Sequence, residues 1–289
     1  MSAAVFANSR KVLLRNAGYE AFTKSALTSE DTVLHCHDFW QLSFQSDSGI
    51  DYCVNDEIYK ISGNDLLVIP PFAMHGVLGA PEISPFQRSF TNITPDFLEW
   101  IGRDKFDLEN ALAEQVKKGS YCFSVSEKDF SLGNCLLGAI QKNEEDRSRL
   151  GIFKDITRLL PILRIILEAK PEEPVSEEQL SNITIRKILS YVNCHFTESI
   201  SLKELAEQFG ISVSTLSHGF SKYTGRSLYD YILYRRVMLA AERLREDEPL
   251  NEIAFSCGFK DYSNFLRSFH KLLRMSPRDY QKSLRKDAV

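Results

Sequence analysis

Short apolar stretches separated by turn residues dominate the first third of the chain. Between residues 30 and 95 these stretches read TVLHCHDFWQLSFQS, IDYCVNDEIYKI and LLVIPP, with SDSG and SGND between them. Runs of this length, bounded by Gly, Asp, Asn and Ser, are typical of β-strands joined by tight turns. The spacing predicts a small sandwich or barrel in this part of the chain.

A helical period replaces the strand pattern from about residue 127 to 169. In DITRLLPILRIILEAK the apolar residues fall on one stripe, formed by Ile156, Leu159, Leu160, Leu163, Ile166 and Leu167. Pro161 lies within the stripe and predicts a kink or a helix start. We expect the stripe to meet either a second copy of the chain, which would give a homodimer, or the strands of its own domain.

The segment KPEEPVSEEQLSN is rich in Pro and Glu and has the composition of a linker. We therefore predict an α+β chain of two domains, with residues 1–170 and 183–289 joined by a linker at 171–182.

The net charge also differs between the two predicted domains. Residues 183–289 hold 17 Lys and Arg against 12 Asp and Glu, a net charge of +5, whereas the whole chain of 289 residues has a net charge of −4. A basic domain behind an acidic one is typical of a protein that meets a polyanion through one domain only.

The basic part of the chain contains an internal repeat with an offset of 48 to 49 residues. The first copy contains Leu202, Leu205, Ala206, Gly210, Leu216, Phe220, Ser227 and Tyr231. The second copy matches it with Leu250, Ile253, Ala254, Gly258, Phe265, Phe269, Ser276 and Tyr280. Each copy predicts a short helix, a turn at Gly and a second amphipathic helix, which is a helix-turn-helix unit. The sequence SLYDYILYRRVMLAAERLRED between the copies predicts one long helix.

These segments resemble AraC/XylS-type transcription regulators. FSCGFKDYSNFLRSFHKLLRMSPRDY is similar to the C-terminal signature of that family, and LAEQFGISVSTLSHGFSKYTGRS is similar to its first DNA-reading unit. HCHDFWQLSF, GNDLLVIPP and FAMH resemble the cupin-like effector domain that often precedes this module. The resemblance implies a cupin-like β-barrel with following helices, and a C-terminal all-α domain with two helix-turn-helix units joined by a long helix.

The resemblance also implies which residues contact DNA, because in the family the second helix of each unit enters the major groove. In the first unit the base-reading positions are Ser214, Ser217, His218 and Ser221. In the second unit they are Tyr262, Ser263 and Arg267. Arg267 is the strongest candidate, because arginine can hold guanine O6 and N7 with two hydrogen bonds. Contacts to phosphate position the protein on the duplex but do not distinguish base sequences. We expect them from Lys222, Arg226, Lys260, Asn264 and Lys271.

Candidate effector residues lie in the strand-rich part. The alternation in HCHDFWQ places His35, His37, Phe39 and Gln41 on one face of a strand, and His75 follows a later strand. With Tyr52 and Arg88, these residues indicate a site for a small organic effector such as a sugar. The three imidazoles are also typical of a divalent metal site, but Gln41 is a poor metal ligand at the position where cupin enzymes carry Glu.

We therefore predict a ligand-responsive, sequence-specific DNA-binding transcription regulator of carbohydrate or small-metabolite genes, with no metal or cofactor and no enzyme activity. The alternative is a cupin-type metal-dependent enzyme, or a metal-sensing protein, fused to a DNA-binding tail. The expected partners are operator DNA, the effector, a second copy of the chain and, for an activator, RNA polymerase. The absence of a signal-peptide pattern and of an apolar run of about 18 residues predicts a cytoplasmic protein without membrane contact. Six cysteines without any Cys-x-x-Cys pair argue against a disulfide framework or structural zinc.

Overall fold

The chain has a strand-rich N-terminal region followed by helices, and a C-terminal region made of helices, which confirms the predicted α+β organisation. The computed structural model describes residues 18–26, 33–46, 49–61, 63–78, 85–103, 106–117, 120–146, 148–175, 183–246 and 248–286. Most of the predicted linker, residues 176–182, lies outside the described residues. Its first residues, 171–175, lie close to the smaller sheet, because Val175 N–H donates to the carbonyl of Ile58 at 2.8 Å.

The strands of the described residues form two antiparallel sheets. They are β1 (Tyr19–Ala26), β2 (Trp40–Gln45), β3 (Asp51–Val54), β4 (Glu57–Lys60), β5 (Asp65–Ile69), β6 (His75–Val77), β7 (Pro85–Ile93), β8 (Cys122–Ser124) and β9 (Lys170–Pro171). The larger sheet has the order β1-β7-β2-β5-β8-β9 and the smaller sheet has the order β4-β3-β6.

The prediction of a cupin-like barrel is right for the strand content and wrong for the closure of the barrel. Among the described strands, β6 continues only into an isolated bridge between His35 and His75. The chain then bends at Asp38 and Phe39 before β2 begins at Trp40, so the ladder of backbone hydrogen bonds does not continue from one sheet into the other.

Strand alternation gives the larger sheet two different faces. Leu42 and Phe44 of β2 belong to a core shared with the helices that follow the strands. Leu67 and Ile69 of β5 pack instead with Tyr52 and other residues of the smaller sheet. The second face therefore lies between the two sheets, and we call it the inner face.

The outer face of the larger sheet is covered by α1 (Pro95–Gly102), α2 (Leu108–Lys117), α3 (Glu127–Lys142) and α4 (Arg149–Glu168). The apolar stripe of α4 packs on this sheet, because Leu159, Leu163 and Ile166 are fully buried within the chain. Pro161 lies inside α4 and does not begin it. We expected the stripe to pack either on a second copy of the chain or on the strands of its own domain. The structure shows it packed on the strands of its own domain.

The C-terminal region contains both predicted helix-turn-helix units. Its helices are α5 (Ile183–His195), α6 (Leu202–Gln208), α7 (Val213–Thr224), α8 (Leu228–Arg243), α9 (Leu250–Ser256), α10 (Tyr262–Leu273) and α11 (Pro277–Lys286). The turns after α6 and α9 contain Gly210 and Gly258 with φ of +66° and +88°, a conformation that favours glycine. In the part of the chain that the structure describes, no helix combines the length and apolar character needed to cross a bilayer.

Candidate DNA-binding and effector sites

The helices α7 and α10, which we call the reading helices, are each fixed by an N-cap and a buried apolar side. Ser212 Oγ accepts a hydrogen bond from Thr215 N–H at 3.0 Å, and Asp261 Oδ1 accepts from Asn264 N–H at 2.7 Å. Such caps stabilise a helix by about 1 kcal/mol. The buried sides, which lie in the core of the C-terminal region, consist of Leu216, Phe220, Phe265 and Phe269. Both helices therefore present one defined face to solvent.

Most of the predicted DNA-contacting residues lie on these solvent faces or in the turns beside them. The exposed ones are Ser214, Ser217, His218, Lys222, Lys260, Ser263, Arg267 and Lys271. The half-buried ones are Ser221, Arg226, Tyr262 and Asn264. Within the described residues Lys222, Lys260, Arg267 and Lys271 form no ion pair, so their charges are available to phosphates or base edges.

Arg226 is placed differently from the other predicted phosphate contacts. Its Nε donates to the Leu34 carbonyl at 3.0 Å, and its guanidinium lies 4.3 Å from the centre of the Tyr234 ring. Leu34 belongs to the segment just before β2, far from the reading helices in sequence. In this conformation Arg226 binds the N-terminal region and is not presented with the other cations.

The three predicted imidazoles come together between the sheets. Ring centres are 4.4 Å apart for His35 and His75, 4.7 Å for His37 and His75, and 6.4 Å for His35 and His37. Burial lowers the pKa of His37 to about 3 and the pKa of His75 well below its usual value. His37 and His75 are therefore neutral at physiological pH.

Backbone carbonyls orient the two buried rings. The Nδ1 atom of His75 lies 2.9 Å from the Ala73 carbonyl, which assigns the ring proton of His75 to Nδ1. Its Nε2 is then an acceptor, buried without a hydrogen-bond partner among the described residues. The His37 ring lies between two oxygens, the Phe39 carbonyl 2.9 Å from Nδ1 and Gln41 Oε1 3.2 Å from Nε2, and its one ring proton is donated to one of them.

The remaining predicted effector residues surround the same space. The Phe39 ring stacks on His37 at 3.9 Å, and the Tyr52 ring centre lies 6.5 Å from that of His75. Arg88 is opposite Gln45 in the β2–β7 pairing, further along the inner face from Gln41. In the described part of the chain, no group of three or more His, Cys, Asp or Glu is arranged to hold a metal ion.

A buried polar row that the sequence analysis missed extends this site. Gln41 pairs with Asn92 across β2 and β7, and Asn92 pairs with Glu20 across β7 and β1, so all three side chains share the inner face. Asn92 Nδ2 donates to Glu20 Oε1 at 2.8 Å, with both residues about 4% exposed. No local signal identifies this row, because strand register joins residues more than 20 positions apart.

Several buried polar atoms on the inner face have no hydrogen-bond partner among the described residues. They are Glu20 Oε2, Gln45 Oε1, Asn92 Oδ1 and His75 Nε2. A buried polar atom left without a hydrogen bond costs about 1 to 3 kcal/mol, so a cluster of them is typical of a site that is completed by a bound molecule. Burial also raises the pKa of Glu20 to about 7.

Several known proteins are similar to this chain in sequence or structure. A family model described as a helix-turn-helix domain matches residues 205–283. The HTH-type transcriptional activator RhaS of Shigella boydii serotype 18 is 32% identical over 266 residues, and the alignment covers 88% of each chain. RhaS of Salmonella dublin is 31% identical over 261 residues with the same coverage. A structure of ToxT from Vibrio cholerae is 13% identical, covers 92% of this chain and 98% of that one, and has a TM-score of 0.35.

The chain has two helix-turn-helix units joined by one long helix, and their solvent faces carry cations. Its relatives are transcriptional activators. Together these observations define a DNA-binding transcription regulator. The chain belongs to the AraC family of helix-turn-helix regulators, which confirms the resemblance found in the sequence. This assignment rests on the two RhaS relatives, each of which aligns along most of its length.

Proposed function

We propose that the chain is a ligand-responsive regulator that binds operator DNA through the reading helices α7 and α10 and a small effector between its two sheets. The domain limits of this proposal are 1–170 and 183–289, with the linker at 171–182. The protein would have no catalytic activity of its own, and it would act on DNA in the cytoplasm.

The observation that carries the DNA-binding part is the exposed set of cations and hydroxyls on two helices joined by α8. A reading helix in each of two successive major grooves requires a fixed separation of about 34 to 36 Å, which a rigid helix can supply. We assign base reading to Ser214, Ser217, His218, Ser263 and Arg267 first, because these side chains are exposed.

The chemistry of the inner face favours an effector that is rich in hydrogen-bond donors. With the buried imidazoles neutral, the unpartnered atoms of Gln45, Asn92 and His75 are acceptors, and Glu20 Oε2 is an acceptor when its carboxyl is ionised. Hydroxyl groups of a sugar or polyol would satisfy them, whereas the carboxylate of an acidic effector would face acceptors of the same polarity. A sugar-like effector is therefore preferred to an anionic one.

A homodimer is the third part of the proposal. The outer surface of α3 and α4 exposes Leu132, Leu150, Phe153 and Leu160. The last three recur at spacings of three and seven on α4, so they lie along one side of that helix. A second copy would cover them, and two copies would place four reading helices on the operator. If the protein activates transcription, as its relatives do, RNA polymerase is a further partner.

Calorimetry with and without operator DNA tests the ligand response, once bound genomic fragments have been mapped. Neutral sugars and their sugar-acid counterparts serve as matched ligands. If ligand changes DNA affinity, then operator DNA must change ligand affinity by the same factor, typically about 5- to 150-fold. Equal affinities with and without DNA would contradict coupling. Stoichiometric zinc, iron or manganese in the purified protein would instead support a metal site at the imidazoles.

A further inference from the structure

A polar groove lies at the N-terminal end of the reading helix α10, between that helix and α11. It encloses about 580 Å³ and is lined by the first residues of α9, by Tyr262 of α10, and by Arg278, Gln281 and Lys282 of α11. We call it the α11 groove. Because Tyr262 is among the predicted DNA-contacting residues, the groove is continuous with the surface that the reading helix presents.

The helix α11 places two cations along this groove. Arg278, Gln281 and Lys282 are three and four residues apart, so they share one face of the helix. Arg278 and Lys282 are exposed, whereas Tyr280 on the opposite face is fully buried. The two charges are therefore about one helical turn apart, roughly 6 Å along the axis, and both are accessible to a ligand.

The acidic side chains near these cations are bonded elsewhere. Glu248 lines the groove, and its carboxylate accepts from Arg243 Nε at 3.2 Å and from Arg243 Nη2. Asp279 of α11 accepts from the Ser276 hydroxyl at 2.6 Å, at the start of the helix. Among the described residues, neither cation of the groove takes part in an ion pair. The α11 groove therefore keeps a positive charge that an anion can neutralise.

The position of the groove matches the course of a DNA strand past α10. A reading helix enters the major groove with its N-terminal residues toward the base edges. The major groove is about 12 Å wide, and a helix with its side chains is about 10 to 12 Å across. The phosphates that border the major groove therefore run directly beside the N-terminal end of α10, where Tyr262 forms one edge of the α11 groove.

The first helix-turn-helix unit has no cations at the equivalent places. At the positions that correspond to the two cations, 49 residues earlier in the chain, it has Tyr229 and Leu233. The matching tyrosines of the two units, Tyr231 and Tyr280, are both fully buried. Packing of a unit thus uses the tyrosine in both copies and does not require the cations, which points to a ligand as the reason for them.

We propose that the α11 groove is a phosphate-binding site for the DNA strand that borders the major groove read by α10. Arg278 and Lys282 are the contacting cations, and Gln281 between them is a neutral hydrogen-bond donor. The ligand is the phosphodiester backbone of duplex DNA, so the site adds affinity without adding base preference. This inference rests on the proposed DNA-binding role and adds α11 to the contact surface of the second unit.

The first test measures binding of the full chain to a random-sequence duplex of about 30 base pairs, long enough for two successive major grooves on one face. The variant is Arg278→Gln with Lys282→Gln, which removes both charges and keeps polar side chains. Each phosphate contact contributes about 0.9 to the slope of log affinity against log salt, so the slope should fall by about 1.8. The same relation predicts binding about 30-fold weaker at about 0.15 M salt.

Two further double variants separate a local contact from a change in net charge. Lys117→Gln with Lys170→Gln removes two exposed charges from α2 and β9, outside the DNA-binding region, and should keep the wild-type slope. Arg278→Lys with Lys282→Arg exchanges the two cations and should restore most of the slope, because a phosphate contact needs the charge. Circular dichroism checks that each variant is folded. If the groove variant is not, Lys282→Gln alone replaces it, with an expected decrease of about 0.9.

Ethylation interference on a mapped genomic fragment locates the contacts. Phosphates whose ethylation weakens the wild type but not the groove variant should lie in the half of the site where Arg267→Ala weakens protection. A wild-type slope in the groove variant, an equal decrease in the α2 and β9 control, or phosphates lost only from the other half would overturn the site. Duplex binding by the wild type would still stand in these cases. A wild-type chain that binds no duplex would overturn the DNA-binding proposal, and the α11 groove site with it.

Discussion

The ring of Phe44 in β2 lies directly against Gly133 of α3, with no space between them for a side chain. A Cβ atom at Gly133 would lie 2.6 Å from Phe44 Cε1, and Phe44 is fully buried. Gly138 lies on the same helix, and a Cβ atom there would meet no heavy atom within 4 Å. The close approach of α3 to the sheet thus depends on one glycine and not on the other.

Alanine substitution at these two positions should have opposite effects on the free energy of unfolding. Gly133→Ala should destabilise the chain by about 1 to 3 kcal/mol, because the methyl group overpacks the site against a ring that cannot move away. Gly138→Ala should stabilise it by about 0.5 to 1 kcal/mol through helix propensity alone. Urea unfolding measures both. A Gly133→Ala variant as stable as Gly138→Ala would show that α3 does not pack on β2 in this way.

Glu20→Gln should change how stability depends on pH. Burial raises the pKa of Glu20 from 4.5 to about 7, so in wild type ionisation of this carboxyl progressively destabilises the folded state as pH rises from about 4.5 to 7. The loss is on the order of 3 kcal/mol. The variant has no such loss, and its advantage over wild type should grow between about pH 5 and pH 8 in urea unfolding. A constant difference between the two proteins would contradict the burial of Glu20.

The same variant removes the contribution of Glu20 from the pH dependence and makes the contribution of the two buried histidines easier to measure. His37 and His75 have pKa values lowered by burial, so below about pH 6.5 they bind protons in the unfolded state but not in the folded one. Their contribution to stability is therefore present above pH 6.5 and is lost as pH falls. In Glu20→Gln, stability should rise from about pH 5 to pH 7. A variant whose stability stays flat across this range would indicate that the two rings are accessible to water.

Arg267→Ala and Lys271→Ala should weaken DNA binding in different ways. Loss of a guanine contact by Arg267 should cost about 1 to 3 kcal/mol on the preferred sequence and relax the preference at one base pair. Loss of a phosphate contact by Lys271 should weaken binding to all sequences similarly and reduce the salt slope by about 0.9. Selection from a randomised duplex library, repeated at two salt concentrations, separates the two effects. An unchanged base preference in Arg267→Ala would remove Arg267 from the base-reading set.

Phe153→Glu should dissociate the proposed dimer without unfolding the subunit. Phe153 is 60% exposed on α4, so a charge there meets solvent in the monomer and an apolar surface only in the dimer. Leu163→Glu on the same helix is the contrasting variant, because Leu163 is 2% exposed and a buried charge would unfold the chain. Light scattering gives the mass of each protein. A wild type that is monomeric at every concentration would exclude the dimer.

The sequence predicted what depends on local periodicity. Each helix-turn-helix unit was found from apolar residues and glycine at helical spacing, and the structure confirms α6, α7, α9 and α10 as well as the long helix α8. Leu266 is an exception, since it follows Phe265 at the same apolar helical spacing in NFLRSFHKLL but is 36% exposed. A residue at the edge of an apolar stripe can be either buried or exposed to solvent.

Non-local relationships could not be predicted in the same way. The row of Glu20, Asn92 and Gln41 exists because three strands align in one register, and nothing near Glu20 in the sequence marks it. The alternation at His35 and His37 predicted which side chains share a face. It did not predict that the opposite side of the same segment binds the DNA-binding region, because that contact joins residues about 200 positions apart.

Footprinting of the full chain on mapped genomic fragments tests the central claim most directly, that both reading helices bind DNA in one fixed arrangement. The account predicts protection of two successive major grooves on one face of the duplex, centred about 10 base pairs apart for each copy of the chain. Arg267→Ala should weaken protection in the groove read by α10 more than in the groove read by α7. Protection shorter than one helical turn, or equal weakening in both grooves, would contradict the account.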